Sequence, residues 1–273
     1  MIQDIAPHIL HNQYRDIQPH DNDSVFCFFN EKILLKQEGN TVMFPEVSDL
    51  KSCKEELIYL FSIDEEHLFL CMEETEIPGF EYEDFRKIRR MSPEPRETAY
   101  ALFTAYHLAV WYRDSRYCGR CGKKTIHSST ERAMVCSDCG NVIYPRINPA
   151  VIVGVINKDR LLITKYARGY GGSALVAGFT EIGETFEETV AREVQEETGL
   201  SVRNIRYYKS QPWGPAADIL AGYYCEADGN EEITIDASEL KTAQWVKRED
   251  IVLQDNDWSL TNEMMKVFKE GKI

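Results

Sequence analysis

The segment from Glu184 to Leu200, ETFEETVAREVQEETGL, carries signals for both ends of one helix. Thr185 and Glu188 have the spacing of a capping box, in which each side chain accepts a hydrogen bond from a free backbone N–H of the first turn. Gly199 stands where a glycine in the left-handed conformation commonly ends a helix. An apolar stripe recurs at every fourth position: Phe186, Val190 and Val194. The segment therefore predicts a helix that packs on a sheet through this stripe.

Three glutamates lie on another face of this helix: Glu193, Glu196 and Glu197. Like charges three and four residues apart destabilise a helix by roughly 0.2–0.5 kcal/mol per pair. Hard divalent cations such as Mg²⁺ or Mn²⁺ prefer carboxylate oxygens, and two or three such ions would offset this repulsion. The alternative is a solvated acidic face, which is the usual meaning of a run of charges.

The residues around the helix favour the metal site. The chain fits the pattern G-x5-E-x7-R-E-U-x-E-E-x-G-U, where U is apolar, at every fixed position. These positions are Gly178, Glu184, Arg192, Glu193, Val194, Glu196, Glu197, Gly199 and Leu200. The segment resembles the signature of the Nudix hydrolases, which cleave nucleoside diphosphates linked to another group.

The resemblance implies a role for each matching residue. The set implied to hold two to three Mg²⁺ or Mn²⁺ ions is Ala177, Glu193, Glu196, Glu197 and Glu239. Glu197 would be the most critical of these, and Glu239 is also a candidate for the base that activates water. Arg192 would orient a carboxylate, and Glu184 would add a metal or loop contact. Without the match, Arg192 and Glu239 would be interpreted as ordinary surface residues.

Two Cys-x-x-Cys pairs stand fourteen residues apart: Cys118 with Cys121, and Cys136 with Cys139. Each pair can supply two thiolates to a tetrahedral ion, and four thiolates leave no open coordination position. The spacing predicts one structural Zn²⁺, with two redox dithiols or two disulfides as the alternative. The remaining cysteines are scattered singly and are predicted to be buried free thiols: Cys27, Cys53, Cys71 and Cys225. This cysteine usage indicates a reducing cytoplasm.

A four-cysteine ribbon directly before a Nudix domain resembles the zinc-ribbon NADH pyrophosphatase (NAD-capped RNA hydrolase) subfamily. SQPW, residues 210–213, matches the start of that subfamily's Ser-Gln-Pro-Trp-Pro-Phe-Pro-x-Ser motif. The resemblance implies a homodimer and a set of substrate-binding residues: Glu131, Tyr144, Phe179, Gln211, Pro212, Trp213, Asp218 and Thr261. Gln211 and Trp213 would form one wall of the pocket, and Tyr144 and Phe179 aromatic walls. By themselves, Tyr144 would fit a ribbon core and Glu131 an exposed ribbon acid.

The chain departs from the subfamily directly after SQPW. Residues 214–218 read GPAAD, so an aromatic residue is lost and Asp218 stands where a hydroxyl is expected. SLT, residues 259–261, also replaces the usual Ser-Ile-Ala. An acid near a substrate phosphate is unfavourable unless a metal or a base edge meets it. Selectivity for NAD(H) is therefore less strongly predicted than hydrolysis.

The expected activity is hydrolysis of the pyrophosphate of NADH or NAD⁺ to nicotinamide mononucleotide and AMP, together with removal of an NAD cap from RNA. One alternative is a pyrophosphatase for another dinucleotide or a nucleotide sugar such as ADP-ribose. Another is a nucleotide-sensing module without turnover. The formal charge of −14 argues against an extended phosphate-tracking surface, so an RNA would be contacted only at its first nucleotides.

The order of these features predicts four parts: a small α+β domain over residues 1–94, a connecting helix over 95–114, the zinc ribbon over 115–145 and a Nudix α/β domain over 146–273. Strands alternating with helices predict an α/β/α sandwich with a mixed sheet for the last part. No apolar run approaches the about 20 residues of a membrane helix. The first ten residues lack the basic and apolar regions of a signal peptide, so we expect a cytoplasmic protein.

Overall fold

The computed structural model describes residues 1–51, 54–229, 231–255 and 257–273. The predicted free thiol Cys53 lies outside the described residues. The chain divides into two compact units. The first unit comprises Met1, Ile147–Trp213 and Asp218–Ile273, and the second comprises Ile2–Arg146 and Gly214–Ala217.

The second unit begins with a seven-stranded sheet. Its strands are β1 Leu10–His11, β2 Ser24–Phe29, β3 Lys32–Glu38, β4 Thr41–Met43, β5 Ile58–Ile63, β6 Glu66–Cys71 and β7 Glu81–Asp84. The order is β1-β5-β6-β2-β3-β4, and β7 pairs with β3. Asn30 and Glu31 have positive φ and join the antiparallel strands β2 and β3 in a hairpin.

Two helices and a ribbon complete this unit: α1 Phe85–Met91, α2 Arg96–Asp114, β8 Ile126–His127, β9 Met134–Val135 and β10 Val142–Ile143. The helix predicted over residues 95–114 corresponds to α2, which begins at Arg96. Most apolar residues of α2 are buried. Tyr106 of this helix is half-buried and stacks on Phe85 with ring centroids 3.6 Å apart. The ribbon strands are antiparallel in the order β10-β9-β8.

The first unit contains a six-stranded sheet. Its strands are β11 Asn148–Asn157, β12 Arg160–Tyr166, β13 Val176–Phe179, β14 Val202–Trp213, β15 Asp218–Ala227 and β16 Leu240–Lys247. β11 is the central strand, and it pairs in parallel with β15 and antiparallel with β12 and β13. The predicted mixed sheet is confirmed.

Two helices cover the two faces of this sheet, α3 Phe186–Thr198 and α4 Leu260–Lys269. Successive side chains of a strand point to opposite faces. Val151 and Val153 of β11 accordingly pack with Val190 of α3, while Ile152 packs with Met264 of α4. The apolar stripe of α3 lies in its core, as predicted, and the unit is an α/β/α sandwich.

The SQPW segment lies within a strand of this sheet. It forms the end of β14, and only Gly214–Ala217 connect β14 to β15. Pro212 has no N–H to donate to a ladder, and such a residue is tolerated in an edge strand. β14 is the edge strand of the sheet, which explains how SQPW fits there.

Candidate active site

The capping interactions of α3 fix where its glutamates stand. The Thr185 hydroxyl accepts a hydrogen bond from the Glu188 backbone N–H, and the Glu188 carboxylate accepts one from the Thr185 N–H at 2.8 Å. Gly199 ends the helix with φ of 70°. The helix therefore has the boundaries that the sequence predicts.

Gly178 of β13 leaves the space that the Glu193 carboxyl group occupies. A Cβ atom at position 178 would lie closer than 3.0 Å to the carboxyl carbon and to both oxygens of Glu193. Non-bonded carbon and oxygen atoms do not approach so closely. Gly178 does not have a positive φ, so a glycine is required here for space and not for backbone conformation.

Arg192 binds the acidic residues around it. Its guanidinium donates two hydrogen bonds to Glu184, at 2.6 and 2.9 Å, one to Glu193 at 2.7 Å and one to Glu196 at 3.0 Å. It also donates to the backbone carbonyl of Phe179 at 2.9 Å. The Arg192 hydrogen bonds lower the pKa of Glu184 to about 2. Arg192 thus ties the loop before α3 to two of the glutamates on the helix.

Glu197 is the most buried member of the cluster, with 2% of its surface exposed. Neither carboxylate oxygen makes a hydrogen bond of ordinary geometry with any described residue. Burial, together with the nearby charges of Glu193 and Glu239, raises the pKa of Glu197 to about 8, while the backbone of Ala177 has a weaker opposing effect. A buried acid without a partner is costly, which indicates that a ligand is its partner in the working protein.

Two residues outside the sequence motif also face the glutamate cluster. The backbone N–H of Asp236 donates to the Glu197 carbonyl at 3.0 Å, and the charge of Asp236 also raises the pKa of Glu197. Burial raises the pKa of Tyr166 to about 12, with contributions from Glu197 and Glu239. Tyr166 ends β12 and Asp236 precedes β16, so only the pairing of these strands reveals both residues.

The cluster fits hard divalent cations, because its donors are oxygens and include a buried carboxylate without a hydrogen-bond partner. The structure does not bring all the predicted metal-binding residues close to one another. Arg192 holds Glu193 and the exposed Glu196, whereas Glu197 points into the interior. In the described part of the chain, no group of three acids brings one carboxylate oxygen from each member within 4.8 Å of the others. Glu239 is solvent-exposed, and its charge acts on Glu193 and Glu197.

The four ribbon cysteines form one cluster, with their sulfur atoms all within 4.8 Å of one another. The Cys118–Cys139 and Cys121–Cys136 sulfur pairs are 3.6 and 3.4 Å apart, too far for disulfides of about 2.05 Å. A tetrahedral zinc site with bonds of about 2.3 Å would separate its sulfurs by about 3.8 Å. The predicted four-cysteine metal site therefore fits this geometry. Three of the singly placed cysteines, Cys27, Cys71 and Cys225, are buried as predicted.

Tyr144 and Glu131 are in contact in the second unit. The Tyr144 hydroxyl donates a 3.1 Å hydrogen bond to the Glu131 carboxylate. Tyr144 is 57% exposed, so it is not a residue of the ribbon core. Phe179 of the first unit is 54% exposed beside the Arg192 network. Both aromatic side chains are accessible to a flat ring.

Gln211, which is predicted to form part of a pocket wall, has a buried side chain that bonds to the chain itself. Its side chain is fully buried, its amide N–H donates to the Trp258 carbonyl at 2.7 Å, and its oxygen accepts from the Leu260 N–H at 2.7 Å. Gln211 thereby holds the first turn of α4 against β14. Three other predicted substrate residues directly follow Gln211 or Leu260 in the sequence. Pro212 is exposed, and Trp213 and Thr261 are half-buried.

Replacing Gln211 with alanine is expected to destabilise the protein by on the order of 2–4 kcal/mol, because one buried carbonyl and one buried N–H lose their partner. Thermal unfolding should show a lower midpoint than in the wild type. Gln195→Ala, at an exposed position on α3, provides the matched control and should leave the midpoint unchanged. Equal midpoints for the two variants would contradict this role of Gln211.

Asp218 is a buried acid at the start of β15, with 7% of its surface exposed. Burial raises its pKa to about 6, a rise that a hydrogen bond from the Asn148 side chain opposes. Its Oδ1 atom has no hydrogen-bond partner among the described residues. The charged form of Asp218 is therefore unfavourable in the folded state.

Asp218→Asn is expected to stabilise the protein increasingly as pH rises. The folded pKa lies above the unfolded value, so the wild type loses stability between pH values of about 4 and 6 and carries the full cost above that range. One pKa unit corresponds to about 1.4 kcal/mol. The gain in the free energy of unfolding should thus be on the order of 1 kcal/mol larger at pH 7.5 than at pH 5. Urea unfolding at both pH values measures it, and the exposed Asp159→Asn variant should show no such trend.

Comparisons with known proteins agree with this geometry. Residues 146–268 match the model of the NUDIX domain, and residues 113–144 match the NADH pyrophosphatase zinc ribbon domain. The chain is 43% identical over 147 residues to the NAD-capped RNA hydrolase NudC of Escherichia coli O1:K1 / APEC and to that of Escherichia coli strain SMS-3-5 / SECEC. Each match covers 54% of this chain and 57% of the relative's length.

A solved structure shows the same fold. The crystal structure of a NUDIX hydrolase from Nitrosomonas europaea aligns with a TM-score of 0.51 at 20% identity, over 57% of this chain and 92% of that one. The segment that matches the NUDIX domain, residues 146–268, contains the capped helix, its glutamates and the glycine opposite Glu193. Residues 146–268 thus match the NUDIX domain family in sequence and in fold, and residues 113–144 before them match the NADH pyrophosphatase zinc ribbon domain.

Proposed function

We propose that this chain hydrolyses the pyrophosphate bond of NADH or NAD⁺, giving nicotinamide mononucleotide and AMP, and that it also removes an NAD cap from RNA. The named relatives support this substrate class, although each match spans little more than half of the relative's length. The ribbon match supports the same class. The glutamates would bind Mg²⁺ or Mn²⁺, and the four cysteines would bind one Zn²⁺.

The buried Glu197 carries the proposal. Its oxygens have no hydrogen-bond partner among the described residues, and the carboxylates of Glu193 and Glu239 lie close enough to raise its pKa. A surface acid has water as its partner, whereas a buried acid beside two others needs cations. The solvated acidic face is therefore not supported for this helix.

The chain's own residues position the reaction. Bound divalent ions offset the charge of a pyrophosphate and lower the pKa of a coordinated water. Arg192 holds Glu193 through a hydrogen bond, and the missing side chain of Gly178 leaves room for the Glu193 carboxyl group. The Glu193 oxygens are therefore positioned before substrate arrives. In this proposal the exposed Glu239 carboxylate accepts the proton of the attacking water. A bond from that water's oxygen to phosphorus then forms as the phosphorus bond to the bridging oxygen breaks.

Two exposed aromatic side chains, Tyr144 and Phe179, are available to stack on the flat rings of a dinucleotide. The segment GPAAD after β14 favours a second candidate, a pyrophosphatase for another dinucleotide or for a nucleotide sugar such as ADP-ribose. There Asp218 is buried and poorly solvated instead of offering a hydroxyl. The substrate is therefore the part of the proposal that most needs measurement.

Release of AMP from the small substrates, and of nicotinamide mononucleotide from NAD-capped RNA, tests the proposal. Wild type and Glu197→Gln are incubated with Mg²⁺ or Mn²⁺ and with NADH, NAD⁺, ADP-ribose, FAD, a diadenosine polyphosphate and NAD-capped RNA. Fastest turnover of NADH or NAD⁺, lost in the variant, supports it. Faster turnover of another substrate in the panel supports the second candidate, a pyrophosphatase for another dinucleotide or nucleotide sugar. Binding without hydrolysis of any substrate indicates a sensing module.

A homodimer in the cytoplasm completes the proposal. Light scattering on the purified chain tests the dimer, which predicts twice the mass of 31.5 kDa. None of the helices in the described ranges is both long and apolar enough to cross a membrane.

A further inference from the structure

A second group of metal-ligating side chains lies in the unit Ile2–Arg146, away from the ribbon cysteines in the sequence. It consists of His20, Asp23 and His67. Within the described ranges, only this group and the four cysteines bring one ligand atom from each member within 4.8 Å of all the others. The Nudix signature and the ribbon do not include any of the three residues.

The fold brings these residues together from distant parts of the chain. β2 and β6 pair in parallel with Ser24 opposite Leu68, so the residues before them, Asp23 and His67, are neighbours. A tight turn returns His20 to the same place. The Asp23 N–H donates to the His20 carbonyl at 3.1 Å, and the His20 N–H donates to Asp23 Oδ2 at 2.7 Å.

The distances within the group are those of co-ligands and not of hydrogen-bonded pairs. His20 Nδ1 lies 3.6 Å from Asp23 Oδ2, and His67 Nδ1 lies 3.8 Å from Asp23 Oδ1. A direct pair closes to less than about 3.2 Å. His8 and Asp64 of the same unit form such a pair, at 2.8 Å.

A tetrahedral ion with bonds of about 2.0–2.1 Å separates its nitrogen and oxygen ligands by about 3.3 Å. The two observed separations, one to each oxygen of the Asp23 carboxylate, exceed this value by a few tenths of an ångström. The wider spacing around Asp23 therefore leaves room for an ion, whereas the spacing of the His8–Asp64 pair does not.

The surroundings of the group also resemble those of a metal site. Asp23 is buried, and a buried carboxylate requires a positive partner. His67 is half-buried, and its ring packs edge-on against Tyr59 with centroids 5.9 Å apart, which restricts its orientation. His20 has 70% of its side chain exposed, so this ligand stands on the solvent side and gives an ion access.

We propose that His20, Asp23 and His67 bind a divalent transition-metal ion of the zinc class, with water completing the coordination. Two imidazoles and one carboxylate suit Zn²⁺, Co²⁺ or Ni²⁺ better than Mg²⁺, which prefers oxygen ligands. The ion ties the turn before β2 to the start of β6. Because it binds only the folded arrangement, it stabilises this unit.

Metal stoichiometry tests the site. The full-length protein, with zinc in its ribbon, is dialysed against Co²⁺ in excess Mg²⁺, so that the glutamate cluster is occupied by Mg²⁺. Bound Co²⁺ per chain is measured by elemental analysis for wild type, His20→Ala and His67→Ala. His8→Ala is the matched control, because His8 contacts an acid directly. Wild type and His8→Ala should bind one equivalent more than the other two variants.

Thermal unfolding with added Zn²⁺ supplies an independent measurement. The midpoint should rise in wild type and in His8→Ala, and this rise should be lost in His20→Ala. His20 is exposed, so its replacement should leave the fold intact and keep the test valid even if His67→Ala unfolds. The same Co²⁺ stoichiometry or the same Zn²⁺ response in all variants would overturn the proposal.

Discussion

Glu197→Gln is expected to lower the rate of pyrophosphate hydrolysis by about a thousandfold or more. Glu197 is a buried carboxylate without a hydrogen-bond partner among the described residues, so its charge is the feature that a metal ion would use. Glutamine keeps the shape but removes the charge and one oxygen. Metal ions supply several kcal/mol of transition-state stabilisation, and a loss of about 4 kcal/mol corresponds to a thousandfold.

Steady-state AMP release from NADH with saturating Mg²⁺ or Mn²⁺ measures this effect. Glu187→Gln is the control, since it removes an exposed carboxylate from the first turn of the same helix. The Glu197→Gln protein should remain folded, because no hydrogen bond within the described chain is broken. A folded Glu197→Gln protein with activity within tenfold of the control would refute the metal-holding role of Glu197.

Gly178→Ala is expected to lower the same activity by about a hundredfold. The added methyl group would overlap the Glu193 carboxyl group, so Glu193 must move by about 1 Å or more and leave its contact with Arg192. Misplacement of a positioned group by about 1 Å can cost about a hundredfold in rate. The φ of Gly178 is not positive, and so the backbone itself accommodates alanine.

Gly171→Ala is the matched control for this substitution. Gly171 lies in the same unit, it also lacks a positive φ, and a Cβ there would meet no atom within 4 Å. Activity of Gly171→Ala should therefore equal that of the wild type. An added Gly178→Ala, Glu193→Ala double variant separates two explanations. If the clash acts through Glu193, the double variant should be no less active than Glu193→Ala alone.

The sequence predicts those features whose determinants lie close together in the chain. The ends of α3 depend on Thr185, Glu188 and Gly199, which act on their own turns. The cysteine pairs act within tight knuckles of four residues and bring four sulfurs together once the ribbon forms. Alternation along β11 likewise separates the residues that meet α3 from those that meet α4. Local hydrogen bonding and side-chain periodicity are sufficient for each of these features.

The tertiary structure decides what the same side chains do. SQPW is read from the sequence as part of a substrate pocket, but its glutamine is buried and holds the start of α4. Tyr166 and Asp236 join the glutamates only because β12 and β16 pair. The sequence by itself determined the family signature, the capped helix and the cysteine cluster. The burial of Glu197, its missing partner and the space over Gly178 depend on strand register between distant segments, which no local pattern specifies.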